Sequence, residues 1–315
     1  MTRSAIQDAL CRAIKNRLPC VEATVKEIQK TNITKTCIQI SDTGNPDAPS
    51  ILVPLDDICL AIGETALTEA ADDIADAYLQ AIRHASTVQG AFLGMGKGDA
   101  LKHACFRVVN TRKNQGILEN SLHEEIEGTG LSIQYRLEIP GNCQAQQSTA
   151  VTESLLGRFQ VTEGEFKAAA KANQKTLELT TGYVDREGFH TGPMVQSGKW
   201  DTPVTITENP DATIFTATAR NTDSAYLIAF PEFLEFMARS LGANLYVIPS
   251  SVHELFFIPY DETKDRESQD MLAASSLYEG NRQTIEPDEF LSDNAYFYDK
   301  DTKTLEILET YDPFE

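Results

Sequence analysis

Two strongly apolar runs, Leu245–Ile248 and Leu255–Ile258, stand out in the second half of the chain. Each is apolar on both faces, which predicts adjacent strands at the centre of a sheet, covered on both sides. Pro249-Ser250-Ser251 and the pair His253-Glu254 join them across a bend. Just before, Phe230, Phe233/Leu234, Met237 and Leu241 recur at helical spacing, with Pro231 in the first turn and Gly242 as a left-handed stop.

The same reading, taken from the N-terminus, gives an α+β chain of mixed sheets with flanking helices. Ile6, Leu10, Ala13/Ile14 and Leu18 predict a helix over 4–18, which Pro19 ends. Residues 21–28 and 33–40 predict two strands, with a short run at 51–53. Ala70, Ile74, Ala77/Tyr78 and Ala81/Ile82 predict a helix from about 67 to 88. A helix is expected over about 99–110, and 131–139 alternates as a half-buried strand does. A second strand follows at 148–154. Thr162 and Glu165 have the spacing of a capping box, opening a helix through about Lys175. The Gly/Pro-rich stretch 181–203 predicts a linker, with Trp200 packed rather than exposed. Residues 214–219 and 225–229 predict a hairpin. An acidic helix over 268–279 and a final hairpin, 295–298 with 304–308, complete the pattern. The boundaries suggest lobes at 1–95, 96–180 and 204–315, with the alternative that the last two form one domain.

Composition narrows the class. Of the 315 residues, 41% are hydrophobic and 23% charged, as in an ordinary globular protein. No apolar run approaches the ~20 residues of a membrane span, and Asp8, Arg12, Lys15 and Arg17 interrupt any secretory core at the N-terminus. A cytoplasmic chain without membrane attachment is therefore expected. The six cysteines include no C-x-x-C pair, which predicts reduced thiols rather than a zinc ribbon or disulfide scaffold. The net charge is −20, and residues 253–315 alone carry 17 Asp/Glu against 5 Lys/Arg. Such a field repels nucleic acid phosphates, so direct nucleic acid binding is not expected. It suits a protein partner with a basic surface.

Candidate chemistry is sparse. Gly94-Met95-Gly96-Lys97-Gly98 fails as a phosphate loop, because Ala91 and Gly98 occupy positions that need Gly and Ser/Thr. At the bend, Ser251 and His253 share a face while Glu254 points away, so Glu254 is not placed to orient the imidazole. Ser250 and Ser251 are expected to satisfy backbone groups of the turn. No ligand pair such as H-E-x-x-H occurs, so neither a metal nor a cofactor is expected.

The segment PSSVHE, with PDEFLSDNAYFYD downstream, resembles a bacterial family known only as domain of unknown function 5688. The positions carrying the resemblance are Ile248, Pro249, Ser250, Ser251, His253 and Glu254, then Asn281, Pro287, Glu289, Leu291, Ser292, Asp293, Tyr296 and Tyr298. It is clear over about 205–308 and weaker upstream, through Asn110, Asn114, Leu118, the 131–153 strands and Asn173. Phe230, where the family pattern has tyrosine, and the glutamine-rich loop after Cys143 depart from it. The resemblance implies a bacterial cytosolic protein from genomes rich in mobile elements, and no assigned activity. It also implies that Ser250, Ser251, His253, Glu254, Ser292 and Asp293 form a shared polar cluster where two loops meet. The expected function is a non-enzymatic acidic protein-binding module, in sharper form an inhibitor occupying the basic cleft of a nucleic-acid-binding host defence enzyme. The alternative is a hydrolase or metal-assisted enzyme acting through Ser251, His253 and Asp293.

Overall fold

A computed structural model describes residues 3–44, 50–55, 66–139, 147–195, 200–219, 223–283 and 285–308. The fold is α+β, with antiparallel sheets and flanking helices. The chain forms two compact units, one of 1–95 with 139–147 and one of 96–138 with 148–315.

In the first unit, α1 (Arg3–Arg17) and α2 (Ala66–Gly94) accompany a three-stranded sheet of β1 (Val21–Gln29), β2 (Thr34–Asp42) and β3 (Ile51–Pro54). Leu10 and Ile14 of α1 and Ala71, Ile74 and Tyr78 of α2 bury against Val21, Ala23, Ile38 and Ile40. The helical and alternating periodicities thus meet in one core.

The second unit opens with a short helix, α3 (Lys97–Lys102), and continues as a strand, β4 (Ala104–Asn110). This corrects the helix expected over 99–110. Ala104, Phe106 and Val108 alternate inward, and β4 pairs with β6 (Leu131–Ile139) along its whole length. Burial on a pleated surface outweighs helix propensity there. After α4 (Gln115–Leu118), the strand β5 (His123–Ile126) pairs with β6 on its other side. A fourth strand, β7 (Gln147–Ala150), also pairs with β6 and gives way at Thr152 to a helix, α5 (Glu153–Phe159), where a strand was expected to run on. The Thr162–Glu165 capping box forms, with the Glu165 backbone N–H donating to Thr162 Oγ1 at 3.2 Å, and opens α6 (Glu163–Gln174).

The expected linker is instead a hairpin, β8 (Leu179–Asp185) with β9 (Gly188–Val195). Gly188 takes a positive φ of 127° at its turn, while Gly182 and Gly192 admit close neighbours. A Cβ on Gly192 would stand 2.8 Å from Thr181 Oγ1 and 3.2 Å from the Ile206 carbonyl oxygen. The hairpin expected around 221–223 is also corrected. β10 (Ile214–Ala219) pairs with β8 and with β12 (Glu254–Pro259), and Ser224–Ala229 coils as a 3₁₀ helix. That coil feeds α7 (Pro231–Leu241), which ends at Gly242 with φ of 70°. β11 (Leu245–Ser251), β12, α8 (Arg266–Gln283), β13 (Tyr296–Asp299) and β14 (Thr304–Ile307) follow.

The resulting seven-stranded sheet runs β14-β13-β11-β12-β10-β8-β9, with the two apolar runs side by side in its interior. Tyr246 and Ile248 pack under Ala273 and Leu277 of α8, with Phe297 beside them. On the opposite face Phe257 meets Phe233 of α7, ring centroids 6.2 Å apart. An aromatic chain links this sheet to the four-stranded one: Phe233 contacts Trp200, Trp200 contacts Phe230, and Phe230 contacts Phe106. Trp200 is buried, as expected, and Phe230 sits in the middle of that chain.

Candidate functional site

The β11–β12 connection begins where the strand register shifts between Ile248 and Ser251. The shift brings Ser251 opposite Glu254 and also into an isolated bridge with Phe290. The Val252 N–H donates to the Glu289 carbonyl at 2.9 Å, and the Val252 carbonyl accepts from Ala225 at 3.1 Å. The bend is therefore held from two directions by main chain. Buried Ser251 closes it locally, its Oγ accepting from the His253 N–H at 3.1 Å. This is the turn chemistry expected of a serine at that position. The side chain of Ser250 lies outside the described residues.

His253 turns its ring to Glu289, with Nε2 3.1 Å from Oε1 and both side chains well exposed. Sequence reasoning missed this partner because Glu289 is distant in the chain and becomes a neighbour only through the Ser251–Phe290 bridge. Glu254 is half-buried, and burial pushes its carboxyl above the ordinary range, partly offset by the neighbouring His253.

The second loop is tied more densely. Asn110 Nδ2 donates to the Leu291 carbonyl at 3.1 Å, while its Oδ1 accepts from the Lys113 N–H at 3.0 Å. Asn281 Nδ2 donates to the Ser292 carbonyl at 2.8 Å. Ser292 Oγ accepts from the Asn294 N–H at 2.9 Å and lies 3.0 Å from the Tyr296 hydroxyl. Tyr296 in turn donates to the Thr129 carbonyl at 2.7 Å, and burial pushes its phenol up to about 12. Lys113 Nζ stands 3.5 Å above the Phe290 ring. Asp293 faces outward, its Oδ2 3.5 Å from Arg112 Nη2.

The structure thus brings the two loops together through backbone at 251–252 and 289–290, and it gives the hydroxyl, the imidazole and the Asp293 carboxylate each a different partner. Ser251 Oγ serves a backbone N–H, His253 pairs with Glu289, and Asp293 pairs with Arg112. A relay requires base and nucleophile in one hydrogen-bonded line. No group of three or more His, Cys, Asp or Glu side chains suited to a metal occurs among the described residues. What the arrangement does is anchor the segment before β13 to β4 and α8 by side-chain amides and hydroxyls. Buried groups of this kind are costly unless satisfied, and here they satisfy carbonyls that no strand partner reaches.

Fold and site together describe an α+β protein whose central strands end in a bend lashed by a buried polar network. Residues 4–300 match the family of unknown function DUF5688, and the chain belongs to that family. No curated protein and no solved structure matches it.

Proposed function

We propose that the protein is a non-enzymatic binding module whose acidic C-terminal surface engages a basic protein partner. The observation that carries this reading is the outer face of α8. Its inner face is taken up by the central strands, yet Met271 and Leu272 stand 45% and 57% exposed. Around them the cations are already engaged: Lys264 with Asp261 at 3.1 Å, and Arg266 with Asp270 at 2.7 Å. Glu262 and Glu267 are exposed without an ion-pair partner among the described residues. The face therefore offers apolar anchors inside a surplus of negative charge, a combination that suits a complementary basic rim.

In its sharper form, the partner is a nucleic-acid-binding host defence enzyme whose basic cleft the protein occupies, as an inhibitor encoded by a mobile element. The net charge of −20 supports it, because a cleft built for phosphates attracts such a field. The test is binding of the full chain to a panel of purified nucleases with basic clefts, read by interferometry. Binding is expected to weaken steeply between about 50 and 500 mM salt, to be competed by duplex DNA, and to be lost in Glu262→Lys/Glu267→Lys and Met271→Ser/Leu272→Ser. Attachment that persists unchanged at molar salt, or that ignores both double variants, would overturn it.

A further inference from the structure

Two half-buried arginines of the second unit, Arg107 and Arg136, make no ion pair among the described residues. β4 and β6 place Arg107 opposite Gln134 and Cys105 opposite Arg136, so both arginines lie on the same face of the four-stranded sheet. This is the face away from Phe106 and Tyr135, whose rings pack together in the core. Arg107 Nε donates to Gln134 Oε1 at 2.9 Å, and Arg136 Nη1 donates to that same oxygen at 3.1 Å. Arg136 also donates to Ser148, to Oγ at 2.8 Å and to the carbonyl at 2.7 Å. Gln134 is itself fully buried, and its amide is oriented by the Ser121 hydroxyl at 3.4 Å.

Two guanidinium groups therefore converge on one neutral oxygen, in a chain that carries 47 Asp and Glu against 27 Lys and Arg. Neither makes an ion pair among the described residues, whereas Arg17, Arg112 and Arg266 all do. Arg107 uses its Nε–H, and its terminal donors meet no acceptor among the described residues. Both side chains are only partly exposed, so water does not fully screen their repulsion. Burial first, and then the Arg136 charge, pushes Arg107 down to about 10, with Asp223 opposing from beyond ion-pair range. Like charges held this way, with planar donors turned to one face of the sheet, suit a multiply charged anion.

We propose that Arg107 and Arg136, set by Gln134 and Ser148, bind a phosphate group. A dianion matches the double positive charge, and its oxygens match the free forks of Arg107. The chemistry is shared by free phosphate and by a small phosphomonoester. The inference is independent of the α8 surface and of the partner read there.

The experiment is isothermal titration of the full chain with inorganic phosphate and, separately, with adenosine monophosphate, at constant ionic strength with chloride as control. Saturable binding of one equivalent is expected for at least one of them. It should weaken tenfold or more in Arg107→Lys, which keeps the charge and loses the fork, and in Arg136→Gln. Stronger binding of the monoester identifies a phosphoester ligand, and equal binding identifies the free ion. Absence of saturation by wild-type protein at millimolar concentration overturns the proposal, whatever the variants do. So does binding that folded variants, checked by circular dichroism, retain in full. Sulfate binding as tightly as phosphate, with no response to Arg107→Lys, would mark an adventitious ion only.

Discussion

At the residue scale, the buried amides and hydroxyls decide what the bend is for. Asn110 spans from β4 to the Leu291 carbonyl and at the same time receives the Lys113 N–H, so one side chain satisfies two main-chain groups. Asn110→Ala should cost about 2–4 kcal/mol in urea unfolding, since both groups are then stranded. Tyr296→Phe removes the bond to Thr129 and should cost about 1–2 kcal/mol by the same measurement. Glu254 makes the opposite prediction. Its folded-state carboxyl titrates above the ordinary 4.5 because burial disfavours the charge. The fold is therefore relatively favoured below about pH 4.5 and loses that advantage as pH rises through the raised value. Glu254→Gln should raise the melting temperature at pH 7 by about 1–3 °C, and the difference should vanish near pH 4.

At the scale of elements, stability rests on caps and close approaches as much as on periodicity. Glu165 closes the α6 capping box and also meets Lys97 Nζ at 2.7 Å; these contacts hold its carboxyl down to about 2. Its contribution is present above the ordinary 4.5 and is lost as pH falls toward 2. Glu165→Gln should therefore lower the melting temperature at pH 7, with the gap to wild type closing across that acid window. Gly192→Ala drives a methyl into Thr181 and a backbone carbonyl, and should destabilise by about 1–3 kcal/mol. These cases show why part of the fold was legible and part was not. The runs at 245–248 and 255–258, the Thr162–Glu165 box and Gly242 announce themselves through local chemistry. β4 did not, because Ala104–Asn110 suits either period until β6 pairs with it. Residues 181–195 looked like a linker because glycines that admit a neighbour resemble glycines that admit motion. The Glu289–His253 pair and the tie from Asn110 to Leu291 join residues far apart in sequence, and local spacing cannot announce them.

At the scale of the molecule, charge and the central strands account for most of what is distinctive. The negative field gathers toward the C-terminus, while Arg107 and Arg136 stand together on one face of the four-stranded sheet. No described helix is long and apolar enough to cross a membrane. The seven-stranded sheet is organised about β11 and β12, with α7 and α8 on opposite faces, so the bend between these strands is the point where 225, 289 and 290 are gathered. The central claim is that polar groups at this point hold the fold together instead of reacting. It is tested most directly by equilibrium urea unfolding of Ser251→Ala. Loss of the buried acceptor for the His253 N–H should lower the unfolding free energy by about 1–2 kcal/mol with an unchanged denaturant slope. A variant as stable as wild type would contradict the account.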